Sequence, residues 1–208
     1  RKMKKIFALA CAVMTVFATS CSKDDNGGGN GGNVVGETKQ ASVDASVSGT
    51  WQYFSFAEGK IVGSGTDADN AEWFAKTTWD MAISRYNLRF NGGSTYTSGG
   101  QGGVYTCDEN VAFSSITSIP DGAVFATDET ITSEGMGGTT TTVKSKAEVI
   151  KFKTDSEGNK VMPPVYLKAP CYIVRTANGS YYKVEFTQYK DANNKSGMVE
   201  FNYAKLGE

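Results

Sequence analysis

The chain has 208 residues, 39% hydrophobic and 21% charged, the composition of one globular domain with additional segments. A formal net charge of −1 argues against nucleic-acid binding, which requires a strongly basic face. The complete absence of histidine excludes Ser-His-Asp and Cys-His catalysis and any histidine-built zinc site.

Residues 1–21 read as an export signal. Lys4 and Lys5 precede an apolar run from Ile6 to Phe17, too short for a permanent membrane span. Met3 is the expected start, with Arg1 and Lys2 ahead of it. The ending Ala18-Thr19-Ser20-Cys21 resembles a bacterial lipobox, so Cys21 is expected to carry lipid. Residues 22–37, rich in Gly, Asn and Asp, cannot bury apolar area and are expected to form a flexible tether. Asp24 and Asp25 there are similar to a surface-export signal of some Gram-negative lipoproteins; a merely solvated linker is the alternative. A β-rich domain is expected over residues 38–208. After processing it retains Cys107 and Cys171, too few for a structural zinc or an iron–sulfur cluster. In an oxidising compartment they pair or stay as buried thiols, and the sequence leaves both open.

Within the domain the hydrophobic period is mostly two, the period of strands. "TWQYFSFAEGKIVG" predicts a hairpin turning at Glu58-Gly59, and "DADNAEWFAK" a single helical turn. In "WDMAISRYNLRF", Trp79, Met81 and Ile83 share one phase while Tyr86, Leu88 and Phe90 take the other, which predicts a bulge or a change of sheet near Arg85. The glycine-rich stretch Asn91–Gly103 lacks the ending of a phosphate loop and reads as a mobile surface loop. "ITSEGMGGTTTTV" holds out Met136 between glycines on what reads as a flexible loop. "AEVIKFKTDSEGNKVM" predicts a hairpin turning near Gly158. The end of the chain, "CYIVRT", "SYYKVEFTQY" and "GMVEFNYAKL", predicts an antiparallel meander with a type I′ turn at Asn178-Gly179. "DANN" near Asp191 reads as a turn, since it lacks the rest of a calcium loop. Together these elements predict an all-β fold, a single domain of antiparallel sheets.

Four methionines survive processing. Met81 reads as core and Met198 as cover for a sheet edge. Met136 and Met162 lie 26 positions apart in irregular segments, the second stiffened by Pro163 and Pro164. Thioethers are soft neutral ligands suited to copper(I) or haem iron, but a pair of loop methionines also serves as adaptable surface packing.

"WDMAISRYNLRFNGG", Trp79 to Gly93, resembles the W-D-x-A-x-x-R-Y-x-x-x-x-N-G-G signature of HmuY-like haem-binding lipoproteins of anaerobic Gram-negative bacteria. The similarity continues through "GQGGVY" and the closing "SGMVEFNYAKL". It implies an all-β protein anchored to the outer membrane by lipid and facing outward. Such a protein binds haem b non-covalently between two axial side chains and passes it to a TonB-dependent receptor, with host haemoproteins as a haem source. Met136 and Met162 match the ligand positions by order and spacing, where the best-known relative has histidines. A thioether pair favours ferrous haem and does not titrate. Lys144, Lys146 and Lys168 are then candidate propionate contacts. The resemblance implies a carrier and not an enzyme. Two other classes stay open: a glycan-binding surface lipoprotein using Tyr96, Tyr105 or Tyr166 as stacking platforms, and a structural or adhesin subunit without a small ligand.

Overall fold

The computed structural model describes residues 35–135 and 138–207. Thirteen strands carry the fold: β1 Lys39–Asp44, β2 Thr50–Ser55, β3 Lys60–Thr66, β4 Met81–Ser84, β5 Asn87–Phe90, β6 Gly103–Thr106, β7 Glu129–Gly135, β8 Gly138–Lys144, β9 Ile150–Phe152, β10 Tyr166–Lys168, β11 Tyr172–Arg175, β12 Tyr181–Lys190 and β13 Ser196–Leu206. A 3-10 turn, Asp67–Asp69, and a short helix α1, Asn70–Trp73, follow β3. The strands form a five-stranded sheet ordered β1-β13-β12-β11-β6 and a four-stranded sheet ordered β3-β2-β4-β5, plus two separate ribbons, β7-β8 and β9-β10. All ladders are antiparallel. The all-β expectation holds, as does the C-terminal meander β11-β12-β13.

The main core lies between the two larger sheets. Phe54, Met81, Ile83, Leu88 and Phe90 from one meet Val184, Phe186, Val199, Phe201 and Tyr203 from the other. Phe54 makes edge contacts with Phe201 and Tyr203 at 5.1 and 5.7 Å between ring centroids. Each fully buried aromatic or aliphatic side chain contributes about 1.5–3 kcal/mol.

The outer faces are covered in part as well, so the central strands β4, β5 and β11 bury residues on both sides. Behind the four-stranded sheet, Trp51, Tyr53, Trp73, Phe74, Trp79, Ala82 and Tyr96 form a second cluster. Behind the five-stranded sheet, Cys107, Ile116, Cys171, Ile173 and Leu206 form a third. Trp79 therefore departs from the phase read from sequence: it joins the second cluster, while Met81 and Ile83 face the main core.

The phase change near Arg85 is neither a bulge nor a change of sheet. β4 and β5 are a hairpin closed by Arg85 and Tyr86, with Met81 opposite Phe90 and Ile83 opposite Leu88. Opposed residues share a face, and a two-residue turn pairs odd positions with even ones, so the apolar phase must switch. Arg85 sits at φ 56, where non-glycine residues are uncommon. Its backbone N–H donates to Ala45 O at 2.9 Å, and its Nη1 donates to Ser46 O and Ser196 O at 3.1 and 3.3 Å. Those bonds hold the strained turn against the ends of β1 and β13.

The hairpins at Gly59 and Gly158 form where expected, both glycines having positive φ. The β11-β12 turn differs from type I′: only Gly179 has positive φ, Gly179 N–H donates to Thr176 O and Thr176 N–H to Ser180 O, giving one left-handed residue where two were expected. Near Asp191 the expected turn is present, with Asp191 Oδ1 accepting from the N–H groups of Asn193 and Lys195.

The glycine-rich stretch is no mobile loop. Asn91 is buried, its Nδ2 donating to Lys76 O and Trp79 O at 2.7 and 2.9 Å. Gly92 bridges to Gln101, and a Cβ on Gly92 would lie 2.0 Å from Gly102 O. Glycine is needed for this backbone-on-backbone approach. Tyr96 plugs the loop into the second cluster against Phe74 and Trp79.

Candidate functional site

β7 and β8 form an exposed ribbon that leaves the body after Asp128 and returns at Lys144. Its threonines favour extended backbone but bury little, which explains a strand pair where the sequence reads as a flexible loop. The paired residues run out to Gly135 opposite Gly138. Met136 falls between them in sequence and lies outside the described residues.

The root of this ribbon is fixed by two buried ionisable side chains. Arg89, 0% exposed on the outer side of β5, donates through Nε to Val143 O at 2.6 Å and through Nη2 to Thr142 Oγ1 at 3.3 Å, both on β8. It also reaches Asn70 Oδ1 at 2.9 Å and pairs with Asp67 at 2.6 Å, with its guanidinium 3.7 Å from the Trp51 ring centroid. Asp128, at the foot of β7, accepts from Phe90 N–H at 2.8 Å and from the Tyr96 hydroxyl. Its Oδ1 has no hydrogen-bond partner. Burial pushes its carboxyl up to about 7 against the lowering effect of those bonds and of Arg89.

Beyond β8 the chain turns along a cleft of about 660 Å³, within the size range of small-molecule and cofactor sites, roughly 300–1,000 Å³. Val104, Ala147, Ile150, Phe152 and Tyr172 supply apolar walls, and Lys146, Glu148, Lys151 and Lys160 supply charge. Tyr172 donates its hydroxyl to Glu148 O at 2.8 Å, and its own ionisation is pushed up to about 12, chiefly by burial. Burial also raises the Glu148 carboxyl, with Lys144 and Lys160 opposing the rise. Tyr86, Phe152 of β9, Tyr166 of β10 and Tyr189 form a continuous row of edge contacts.

Met162 lies between β9 and β10, 75% exposed, and is joined to Pro163 by a cis peptide bond. Val165 and Leu167 beside it are exposed as well. Of the three lysines singled out from sequence, Lys146 lines the cleft while pairing with Glu129 at 3.0 Å. Lys144 is half-buried, donates to Asn87 Oδ1 at 2.6 Å and has its ammonium pKa lowered by burial. Lys168 is paired with Glu185 on β12, which raises its pKa. Sequence reasoning passed over Lys160, whose Nζ sits 3.7 Å from the Phe152 ring centroid and has no ion pair among the described residues. Its position two residues before Met162 was the available signal.

Cys107 and Cys171 are both buried and both free; Cys107 N–H donates to Cys171 O at 3.0 Å across β6 and β11. Burial pushes the Cys107 thiol up to about 11. Of the tyrosines considered as sugar platforms, Tyr96 is buried, and Tyr105 and Tyr166 are partly buried against Phe125 and Phe152. Among the described residues no group of three or more His, Cys, Asp or Glu side chains could hold a metal ion. No helix among them is long and apolar enough to cross a membrane.

A family model described as HmuY protein matches residues 48–203. Among solved structures, a Bacteroides vulgatus protein described as HmuY-like and haem-binding is 22% identical, with a TM-score of 0.59 over 83% of this chain and 96% of its own. The apo HmuY analogue of Tannerella forsythia is 23% identical, with a TM-score of 0.54 over 84% and 99%. A Bacteroides fragilis protein described as a lipoprotein is 22% identical, with a TM-score of 0.57 over 83% and 93%. No curated protein matches the chain.

Proposed function

The chain belongs to the HmuY family, and from that premise we propose that it is a haem carrier of the outer membrane, tethered by lipid on Cys21 and free of catalytic chemistry. The observation that carries the proposal is the 660 Å³ cleft, its walls apolar and its charged lining made of both lysines and carboxylates; the exposed thioether of Met162 follows two residues after Lys160 of that lining. Haem supplies an iron and a broad apolar ring that gains from leaving water.

Met136 and Met162 are the proposed axial ligands. Both are soft and uncharged, so ligation through them does not compete with protons. Arg89 and Asp128 fix the root of the β7-β8 ribbon, between whose strands Met136 falls in sequence. Lys144 and Lys146 are the proposed propionate contacts, with Lys160 added as a cation of the cleft wall. Lys168, held by Glu185, is a weaker choice. Transfer to a TonB-dependent receptor, with host haemoproteins as a source, completes the reading.

Absorbance titration of reduced haem tests it. Wild type is expected to give a six-coordinate low-spin spectrum and to bind ferrous haem more tightly than ferric. Met136→Ala and Met162→Ala are each expected to shift the spectrum toward five-coordination, while Met198→Ala and Met81→Leu leave it unchanged. An unaltered spectrum in the double Met136→Ala, Met162→Ala variant removes both as ligands, and no spectral change in wild type removes the haem reading.

A further inference from the structure

A second recess, of about 330 Å³, opens at the far end of the β4-β5 hairpin from the cleft. Asp80, just before β4, lines the recess, whereas the cleft lies beside the Tyr86 turn at the other end, where Val149 N–H donates to Tyr86 O. β11 spans the same interval, from Tyr172 in the cleft to Thr176 in the recess.

The recess is lined with hydroxyls. Ser55 and Thr176 are buried in its floor, and Thr77, Thr78, Ser180 and Tyr182 stand around it. Ser55 Oγ and Thr176 Oγ1 accept from the N–H groups of Glu58 and Ser180, at 3.4 and 3.0 Å. Among the described residues, none of the six hydroxyls donates to a protein acceptor, so their O–H groups are not committed within the protein. The Tyr182 ring is fixed by stacking on Phe56 at 4.8 Å.

The charges present narrow the ligand class. Asp80 and Glu58 line the recess and no lysine or arginine does, which disfavours an anion. A cation is disfavoured too, because both carboxylates are already engaged. Asp80 Oδ2 and Oδ1 accept from Phe56 and Ala177 N–H at 2.9 and 3.3 Å, and Glu58 pairs with Lys60 at 2.9 Å. What the lining offers is many short, neutral groups that both donate and accept, matching a ligand made of hydroxyls. The volume suits one ring and no larger cofactor.

We propose that this recess binds one neutral pyranose unit of a glycan, independently of the haem cleft. The test is isothermal titration, with saturation-transfer NMR, of the full chain against the methyl glycosides of glucose, galactose and mannose, with methyl glucuronoside as the anionic counterpart. At least one neutral glycoside is expected to bind saturably, with the glucuronoside about tenfold or more weaker. Thr77→Val and Thr78→Val each remove an exposed hydroxyl that makes no bond in the protein, so folding is unaffected; together they are expected to weaken binding about tenfold. Haem absorbance titrations of the double variant are expected to match wild type, which separates this site from the cleft. The proposal is overturned if no neutral glycoside binds saturably, if the double variant binds as wild type does, if the glucuronoside binds equally well, or if calcium or methylammonium binds in place of the sugars.

Discussion

At the scale of single residues, the two buried ionisable groups at the ribbon root make the clearest predictions. Arg89 satisfies Val143 O, Asn70 and Asp67 at once, a fork that lysine cannot reproduce. Arg89→Met is expected to destabilise the domain by about 3 kcal/mol in urea unfolding, and Arg89→Lys to recover only part of that. Asp128 makes a pH prediction. Its folded-state pKa of about 7 lies above the ordinary carboxyl value of 3.8, so its contribution to stability is full below about pH 4 and lost as pH rises through about 7. Asp80 and Glu148 shift in the same direction. Asp128→Asn cannot ionise and still offers an acceptor to Phe90 N–H. Its melting temperature relative to wild type is therefore expected to rise steadily between those pH values, measured by thermal denaturation in a buffer series. A constant difference would show that Asp128 does not titrate in this window.

At the scale of elements, what the sequence revealed depended on whether a segment's partner lay nearby in the chain. The hairpins at Gly59 and Gly158 and the C-terminal meander were legible because alternation and turn glycines are local signals. The covers over the outer faces were not. Tyr96 in a glycine-rich loop and Ile116 in an irregular segment carry no period, and their burial comes from residues far along the chain. The same limit applied to the site: Met162 stood out in an irregular segment by its prolines, whereas no local signal in the sequence marks Arg89 or Asp128 as buried. The buried glycine loop can be tested directly. Gly92→Ala places a methyl against the backbone of Gly102, which cannot move aside, and is expected to prevent folding or cost several kcal/mol. Gly122→Ala, at φ 72 in open space, is expected to cost only about 1 kcal/mol. Urea melts of both variants, beside wild type, read the contrast.

At the scale of the whole molecule, Gly32–Glu208 forms one compact unit. A chain starting near residue 33 is expected to fold without lipid and to give a strand-dominated far-ultraviolet circular dichroism spectrum. Cys21→Ala is expected to release the protein from membranes while leaving haem and sugar titrations unchanged, since lipid and pockets are separate devices. Loss of either binding activity in the released protein would contradict that separation. The free, buried Cys107 and Cys171 are expected to react with a thiol reagent readily in denaturant and slowly in native buffer.

The three tryptophans of the chain, Trp51, Trp73 and Trp79, all belong to the second cluster, and the main core contains none. Intrinsic indole fluorescence therefore reports on one side of the molecule only. That side is the root of the ribbon: the Arg89 guanidinium lies over Trp51 and Val143 of β8 packs against the cluster. If the root opens before the sheets separate, emission will change at lower denaturant than the strand signal, and the two transitions will not coincide. The placement of three indoles thus makes the protein an optical gauge of its own ribbon, readable without an added label.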